Sequence, residues 1–246
     1  MALTPKENML HVIHHKQPEW APNGMESVVM LYPPYVERPL REGHDSFVVR
    51  YELEEYVDGG TYPAPGGHTI PDVDSMDWSK VTVGWSGAPI PLDIIWYGDD
   101  WGTQSDLFLP PNVWRRIVKP HTQRIYACTK ERGILINQHS CGRIESIFGD
   151  VVKMGADVWN PCQPCNDLAA LKRQYGGQVT FCGGIDSQFV LDRPGVTPDE
   201  VRAEVRRRID EMAAGGGNIA APSHGVRYAP EVLAAMNDEI TTYGRY

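Results

Sequence analysis

Beyond residue 90 the chain alternates between short, nearly continuous apolar runs and longer stretches in which apolar residues recur every three or four positions. The first pattern predicts buried strands and the second amphipathic helices. A run at residues 91–97 ends in Gly98-Asp99-Asp100-Trp101-Gly102, and a helical stretch follows at about 112–132. Residues 133–138 form the next strand signal, ending in His139-Ser140-Cys141-Gly142. Ile144, Ile147, Phe148, Val151 and Val152 then share a helical face that Gly155 stops. A strand over 156–160 leads into Pro161-Cys162-Gln163-Pro164-Cys165, and a short helix over 167–175 is closed by Gly176-Gly177. Residues 178–182 form a strand ending in Gly183-Gly184-Ile185-Asp186. Thr197-Pro198-Asp199-Glu200 is a capping box for a helix with Val201, Val205, Ile209 and Met212 on one face. Gly215-Gly216-Gly217, a strand over 218–221, Pro222-Ser223-His224-Gly225 and a helix from about 230 complete the series.

Strand and helix joined by short connections mean parallel crossovers. In five successive units the residues with chemical potential follow directly after a strand, which is where barrel enzymes carry their active sites. A doubly wound open sheet would share this local pattern, but it usually shows a glycine-rich phosphate-binding turn, and none of that form is present. The expected class is therefore α/β, a TIM-type (β/α) barrel, incomplete or modified in its N-terminal part. Residues 1–90 show no such alternation: a helix is expected at 6–16, strands at 27–32 and 47–51, and a Gly/Pro-rich loop at 59–71. With no internal repeat and no flexible linker, residues 1–246 read as a single domain.

Composition narrows the function classes. A chain of 246 residues with 41% hydrophobic content is long enough to bury a core without disulfides. Its mean hydropathy is -0.37, and no apolar stretch approaches a membrane span. The formal charge of -9 argues against a nucleic-acid surface, and the basic run Arg206-Arg207-Arg208 reads as the solvated face of a helix. The polar start, Met-Ala-Leu-Thr-Pro-Lys-Glu, has no signal-peptide core, so a cytoplasmic protein is expected. Five cysteines, an odd number, point toward thiol or metal chemistry rather than a disulfide framework.

His139 and Cys141 flank a serine at a strand end, where residues i and i+2 face the same way. An imidazole and a thiolate suit zinc, and His224, at the end of the last strand, can address the same axial pocket as a third ligand. Taken alone, His-x-Cys is equally the pattern of a hydrogen-bonded histidine beside a buried cysteine. Asp100 joins His139 and Cys141 as the expected catalytic set, and Asp99, Trp101, Gln104, Asn160, Gln163 and Asp186 are expected to line the substrate pocket. Cys162 and Cys165 have redox spacing, but they follow Asn160-Pro161 rather than opening a helix, so small apolar filling competes with a thiol role. Cys128 is expected in the core face of its helix.

These residues resemble the uroporphyrinogen decarboxylase superfamily, which includes the decarboxylase and the zinc-dependent, corrinoid-linked methyltransferases. The likeness rests on Lys6-Glu-Asn-Met-Leu10, His15-Lys-Gln-Pro18, Asp99-Asp-Trp-Gly-Thr-Gln104, His139-Ser-Cys-Gly142, Gly183-Gly-Ile-Asp186 and Ala221-Pro-Ser-His-Gly225. It implies a β/α barrel in which His139 and Cys141 match the zinc-binding His-x-Cys pair of the methyltransferases. Those enzymes take a third ligand from a cysteine after the last strand, where this chain has His224. The decarboxylase has a histidine there and needs no metal, but it also carries an Arg-Gln-Ala-Gly-Arg segment, for which Arg38 and Arg41 are poor stand-ins.

The resemblance thus implies a zinc-dependent methyltransferase working with a corrinoid-binding partner protein that carries methylcobalamin. The small-molecule partner would be a thiol, alcohol or methyl ether serving as methyl acceptor or donor. Two alternatives stay open. One is a cofactor-free decarboxylase in which Asp99 or Asp100 contacts pyrrole nitrogens, and the other is a non-catalytic partner subunit. Relatives are longer, with the missing part between Trp78 and Asp99, so an exposed sheet edge is expected, which a homodimer would cover.

Overall fold

The computed structural model describes residues 2–24, 43–44, 50–54, 60–63, 93–225 and 228–245. Two compact units emerge: Met1–Val29 with Leu92–Tyr246, and Met30–Pro91. In the second, β1 (Gly43–His44), β2 (Arg50–Glu54) and β3 (Gly60–Pro63) form an antiparallel sheet in that order, with Tyr51 opposite Pro63. Gly60–Pro63, within the loop expected at 59–71, is instead the strand β3, because it pairs with β2; the rest of that loop, the strand expected at 27–32, Arg38, Arg41 and the shortened stretch up to residue 92 lie outside the described residues. So does most of the strand expected at 47–51.

The larger unit holds a five-stranded parallel sheet: β4 (Ile94–Gly98), β5 (Leu135–His139), β6 (Val158–Cys162), β7 (Thr180–Ile185) and β8 (Asn218–Pro222). Between them run α2 (Pro111–Ile117), α3 (Lys119–Lys130), α4 (Glu145–Met154), α5 (Leu168–Tyr175) and α6 (Pro198–Met212), with α7 (Pro230–Tyr243) after the last strand. A doubly wound sheet reverses its strand order at a switch point; here neighbours follow chain order from β4 to β8 without reversal. This is the winding of a (β/α) barrel, present as a five-strand arc among the described residues.

The expected helix at 112–132 divides at Val118 into α2 and α3. Pro120, in the first turn of α3, has no amide hydrogen, and its ring would strike the preceding turn of a continuous helix. Tyr126 and Thr122 face the core of α3, which leaves Cys128, two positions beyond Tyr126, exposed rather than buried. The Thr197–Glu200 box caps α6 as expected, and Gly155 ends α4 in the left-handed region. Arg208, within the run read as solvated, is buried and paired with Glu204 and Glu211. A five-residue π-helix, Ser187–Leu191, follows β7 and is capped by the Asp186 side chain.

Alternation along the strands divides the apolar residues between two layers. Ile136, Trp159 and Phe181 face the helices and share a core with Phe148 of α4, whose ring lies 4.8 Å from Trp159, 5.3 Å from Tyr175 and 5.6 Å from Phe181. On the other face, Val158, Cys182 and Ile219 pack on α1 (Pro5–Ile13) through Met9, Val12 and Ile13. Thr4 and Glu7 form a capping box that starts α1, and Thr180 donates its hydroxyl to the Val12 carbonyl at 3.2 Å. The chain then runs beside β8: Ala220 N–H donates to Pro22 and Gly24 N–H donates back to Ala220, both at 2.9 Å.

At the C-terminal ends of the strands, the loop after β4 presses on the turn after β5. Arg143 N–H donates to the Thr103 carbonyl at 2.7 Å, and Gly142 adopts φ +78. A Cβ at Gly142 would fall 2.2 Å from the Gly102 carbonyl carbon, so no side chain fits. Gly133 has a similar φ of +71 but nothing within 4 Å.

Urea unfolding should rank three substitutions. Phe148→Ala is expected to cost about 3–5 kcal/mol, as a fully buried aromatic that leaves a cavity. Gly133→Ala should cost about 1–2 kcal/mol from backbone conformation alone. Gly142→Ala should cost clearly more than Gly133→Ala, because the Gly102 backbone must also move; equal costs would refute the close approach.

Candidate metal and active site

The site is built on the level ends of β4 and β5, where Gly98 is paired with His139. Alternate residues share a face, so Trp96 and Gly98 on β4 lie beside Asn137 and His139 on β5. Past Gly98 the chain turns, and the Asp100 carboxylate accepts the Cys141 backbone N–H at 2.7 Å. That bond holds Asp100 over the end of β5. Its Oδ1 lies 3.5 Å from His139 Nε2, and Cys141 Sγ lies 3.5 Å from the same nitrogen. The donor atoms of Asp100, His139 and Cys141 all fall within 4.8 Å of one another, close enough to share a metal ion.

Two contacts hold the His139 ring. Its Nδ1 is 2.7 Å from Asn160 Oδ1 on β6, where Asn160 is its register partner. Its face lies against the Trp96 indole, with centroids 4.6 Å apart and planes at 46°. A Cβ at Gly98 would stand 2.9 Å from that indole, so the missing side chain makes room for it.

The turn itself is braced from below. Ser140 is buried; its hydroxyl accepts Trp101 N–H at 3.0 Å, and its own N–H donates to the Asn160 carbonyl at 2.8 Å. Gln163 accepts the Gly142 N–H, while Asn166 accepts Ile144 N–H at 2.9 Å and donates to the Gly142 carbonyl at 3.0 Å.

Burial pushes the Cys141 thiol up to about 11, and the charge and hydrogen bond of Asp100 add to the shift. Cys165 acts in the same direction. A carboxylate, an imidazole nitrogen and a thiol are thus gathered where burial and the carboxylate disfavour ionisation of the thiol. A divalent cation would reverse that balance, and an N, S and O donor set suits zinc. The residues present therefore fit a metal.

The other expected residues have varied places. Asp99 accepts the Trp101 indole N–H at 2.9 Å, and Trp101, only 4% exposed, packs on Trp114 with centroids 5.0 Å apart. Gln104 is exposed on the loop. Gln163 lies with Nε2 3.4 Å from His224 Nδ1, so His224 reaches the Gly142 turn through Gln163 and is not in the group of three. Asp186 accepts Phe189 N–H at 2.9 Å as the π-helix cap. All five cysteines are free; Cys162 is fully buried and Cys165 half-buried, and burial is the main cause that raises both thiols. Trp96 and Asn166 are not among the residues that the sequence singles out. Counting two residues back from Gly98 would have found Trp96, whereas no local signal marks Asn166.

Among the described residues, no helix is long and apolar enough to cross a membrane. Known proteins share this architecture. A methyltransferase from Methanosarcina mazei superposes with a TM-score of 0.50 at 20% identity, covering 61% of this chain and 42% of that one, which speaks for the fold. A uroporphyrinogen decarboxylase of Ralstonia nicotianae is 35% identical over 100 residues, 39% of this chain and 26% of that protein. The Methanosarcina barkeri methylcobamide:CoM methyltransferase MtaA is 26% identical over 138 residues, 53% of this chain and 38% of that protein. The chain thus spans less than half the length of these relatives. The family model described as Uroporphyrinogen decarboxylase (URO-D) matches residues 93–243, which includes every strand of the parallel sheet and every donor of the cluster. By that match the chain belongs to the uroporphyrinogen decarboxylase family.

Proposed function

We propose that this chain is a zinc-dependent methyltransferase that moves a methyl group between a corrinoid carried by a partner protein and a thiol, alcohol or methyl ether. The observation that carries the reading is the gathering of His139, Cys141 and Asp100 donor atoms within 4.8 Å at the strand ends. His139 and Cys141 would hold zinc, with Asp100 favoured over His224 as third ligand because it already lies in range. Zinc bound there would supply a Lewis acid that activates a thiol or polarises an alcohol or ether oxygen. The chain's own groups prepare the place: Asp100 is anchored by the Cys141 amide, and the braced Gly142 turn fixes where Cys141 stands. The named relative that acts on methylcobamide supports the corrinoid as the other reactant.

A second reading, a metal-free decarboxylase, draws on the Ralstonia relative and on the two strand-end carboxylates Asp99 and Asp100. It leaves the thiol and imidazole without a task, so it ranks below.

Protein purified without added metal should carry about one zinc per chain by atomic absorption. His139→Ala and Cys141→Ser should each weaken zinc binding by more than about 100-fold, beyond the range typical of residues that only support a ligand. Asp100→Asn should weaken it more than His224→Ala does; the reverse order would hand the third position to His224. Absence of zinc, with no effect of Cys141→Ser, would sink the metal reading.

Activity separates the two readings independently. With methylcobalamin and a thiol, mass spectrometry should show thiol methylation that disappears in Cys141→Ser. Conversion of uroporphyrinogen to coproporphyrinogen by metal-free protein would establish the decarboxylase instead.

A further inference from the structure

We propose that Asn160 is a positioning residue that holds His139 as its Nδ1–H form, leaving Nε2 to offer its lone pair beside Cys141 and Asp100. The destination of that lone pair rests on the metal reading above; the tautomer itself does not.

An asparagine side chain can present either a carbonyl oxygen or an amino group, and the two choices have opposite consequences for a histidine. Here the oxygen lies 2.7 Å from His139 Nδ1. A carbonyl oxygen only accepts, so Nδ1 carries the proton and the neutral ring keeps its lone pair on Nε2. That nitrogen is the one 3.5 Å from both Cys141 Sγ and Asp100 Oδ1. With the amide reversed, Nδ1 would accept, Nε2 would hold the proton, and the ring would donate to Asp100 with no lone pair for a metal. One amide orientation therefore decides whether the cluster has three donors or two.

The Asn160 backbone cannot drift, because its carbonyl accepts Ser140 N–H at 2.8 Å and its register partner is His139. Trp96 closes the other side of the imidazole, in the space that Gly98 leaves. Ring rotation is thus opposed from the strands on either side of β5.

The test reads the tautomer directly in metal-free protein labelled with nitrogen-15, at a pH where His139 is neutral. Its ring signals are assigned by their loss in His139→Gln. The parent should show a protonated Nδ1 and an unprotonated Nε2. Asn160→Leu should shift the ring toward the Nε2–H form and weaken zinc binding by about 10–100-fold, the range typical of groups that orient a metal ligand. Asn160→Asp, which keeps the acceptor, should retain the Nδ1–H form and bind zinc within about threefold of the parent, short of that range. A parent with Nε2–H, or Asn160→Leu with unchanged tautomer and zinc affinity, would overturn the proposal. Should Asn160→Leu fail to fold, the parent spectrum and Asn160→Asp still decide. A parent that shows Nδ1–H yet binds no zinc would defeat the metal reading and leave the role of Asn160 standing.

Discussion

The parallel pairing of β4 with β5 sets Gly98 opposite His139, and everything at the site follows from that alignment. Because a strand repeats every two residues, the pairing puts Trp96, Gly98, Asn137 and His139 on one side and Ile136 and Gln138 on the other. A slip by one residue would turn His139 toward the helices, into the space where Ile136 meets the core and Gln138 meets Tyr126. It would also separate Asp100 from the Cys141 amide that holds it. The hydrophobic layer around Phe148 enforces the register, since Ile136, Trp159 and Phe181 can be buried in only one phase. Core packing and site geometry are therefore two results of one constraint.

On that alignment the loops are held by satisfied polar groups rather than by apolar contact. Ser140, Gln163 and Asn166 are buried, and each hydrogen-bonds backbone of the strand-end loops. Leaving one such backbone group unpaired would cost about 1–3 kcal/mol, so the paths of the loops after β4, β5 and β6 are tied together. Gly142 permits this closeness, since any side chain would enter the Gly102 backbone. The result is a turn carrying His139 and Cys141 whose position is over-determined by neighbours on both sides, as a preorganised site requires.

Much of the fold was legible along the chain. The Thr197–Glu200 box and Gly155 mark helix ends through local chemistry, and the structure has them where the residues place them. The departures have local physical causes too. Pro120 divides one expected helix into two, and Cys128 faces outward because Tyr126 takes the core face. Arg208 was read as solvated because charge suggests water, but Glu204 and Glu211 beside it on α6 permit its burial. None of these pairings is visible in composition alone.

His139 and Cys141 as a same-facing pair at a strand end, and the succession of β/α units beneath them, were fixed by the sequence itself, because period-two and period-3.6 patterns are local properties of the chain. Which further donor joins that pair could not be. Asp100 and His224 each follow a strand, and only the path of the loop after β4, drawn in by the Cys141 amide, brings Asp100 within 4.8 Å. The bracket of Asn160 and Trp96 around His139 is of the same kind. It spans three strands that are far apart in sequence, and it exists only once their register is set by a shared core.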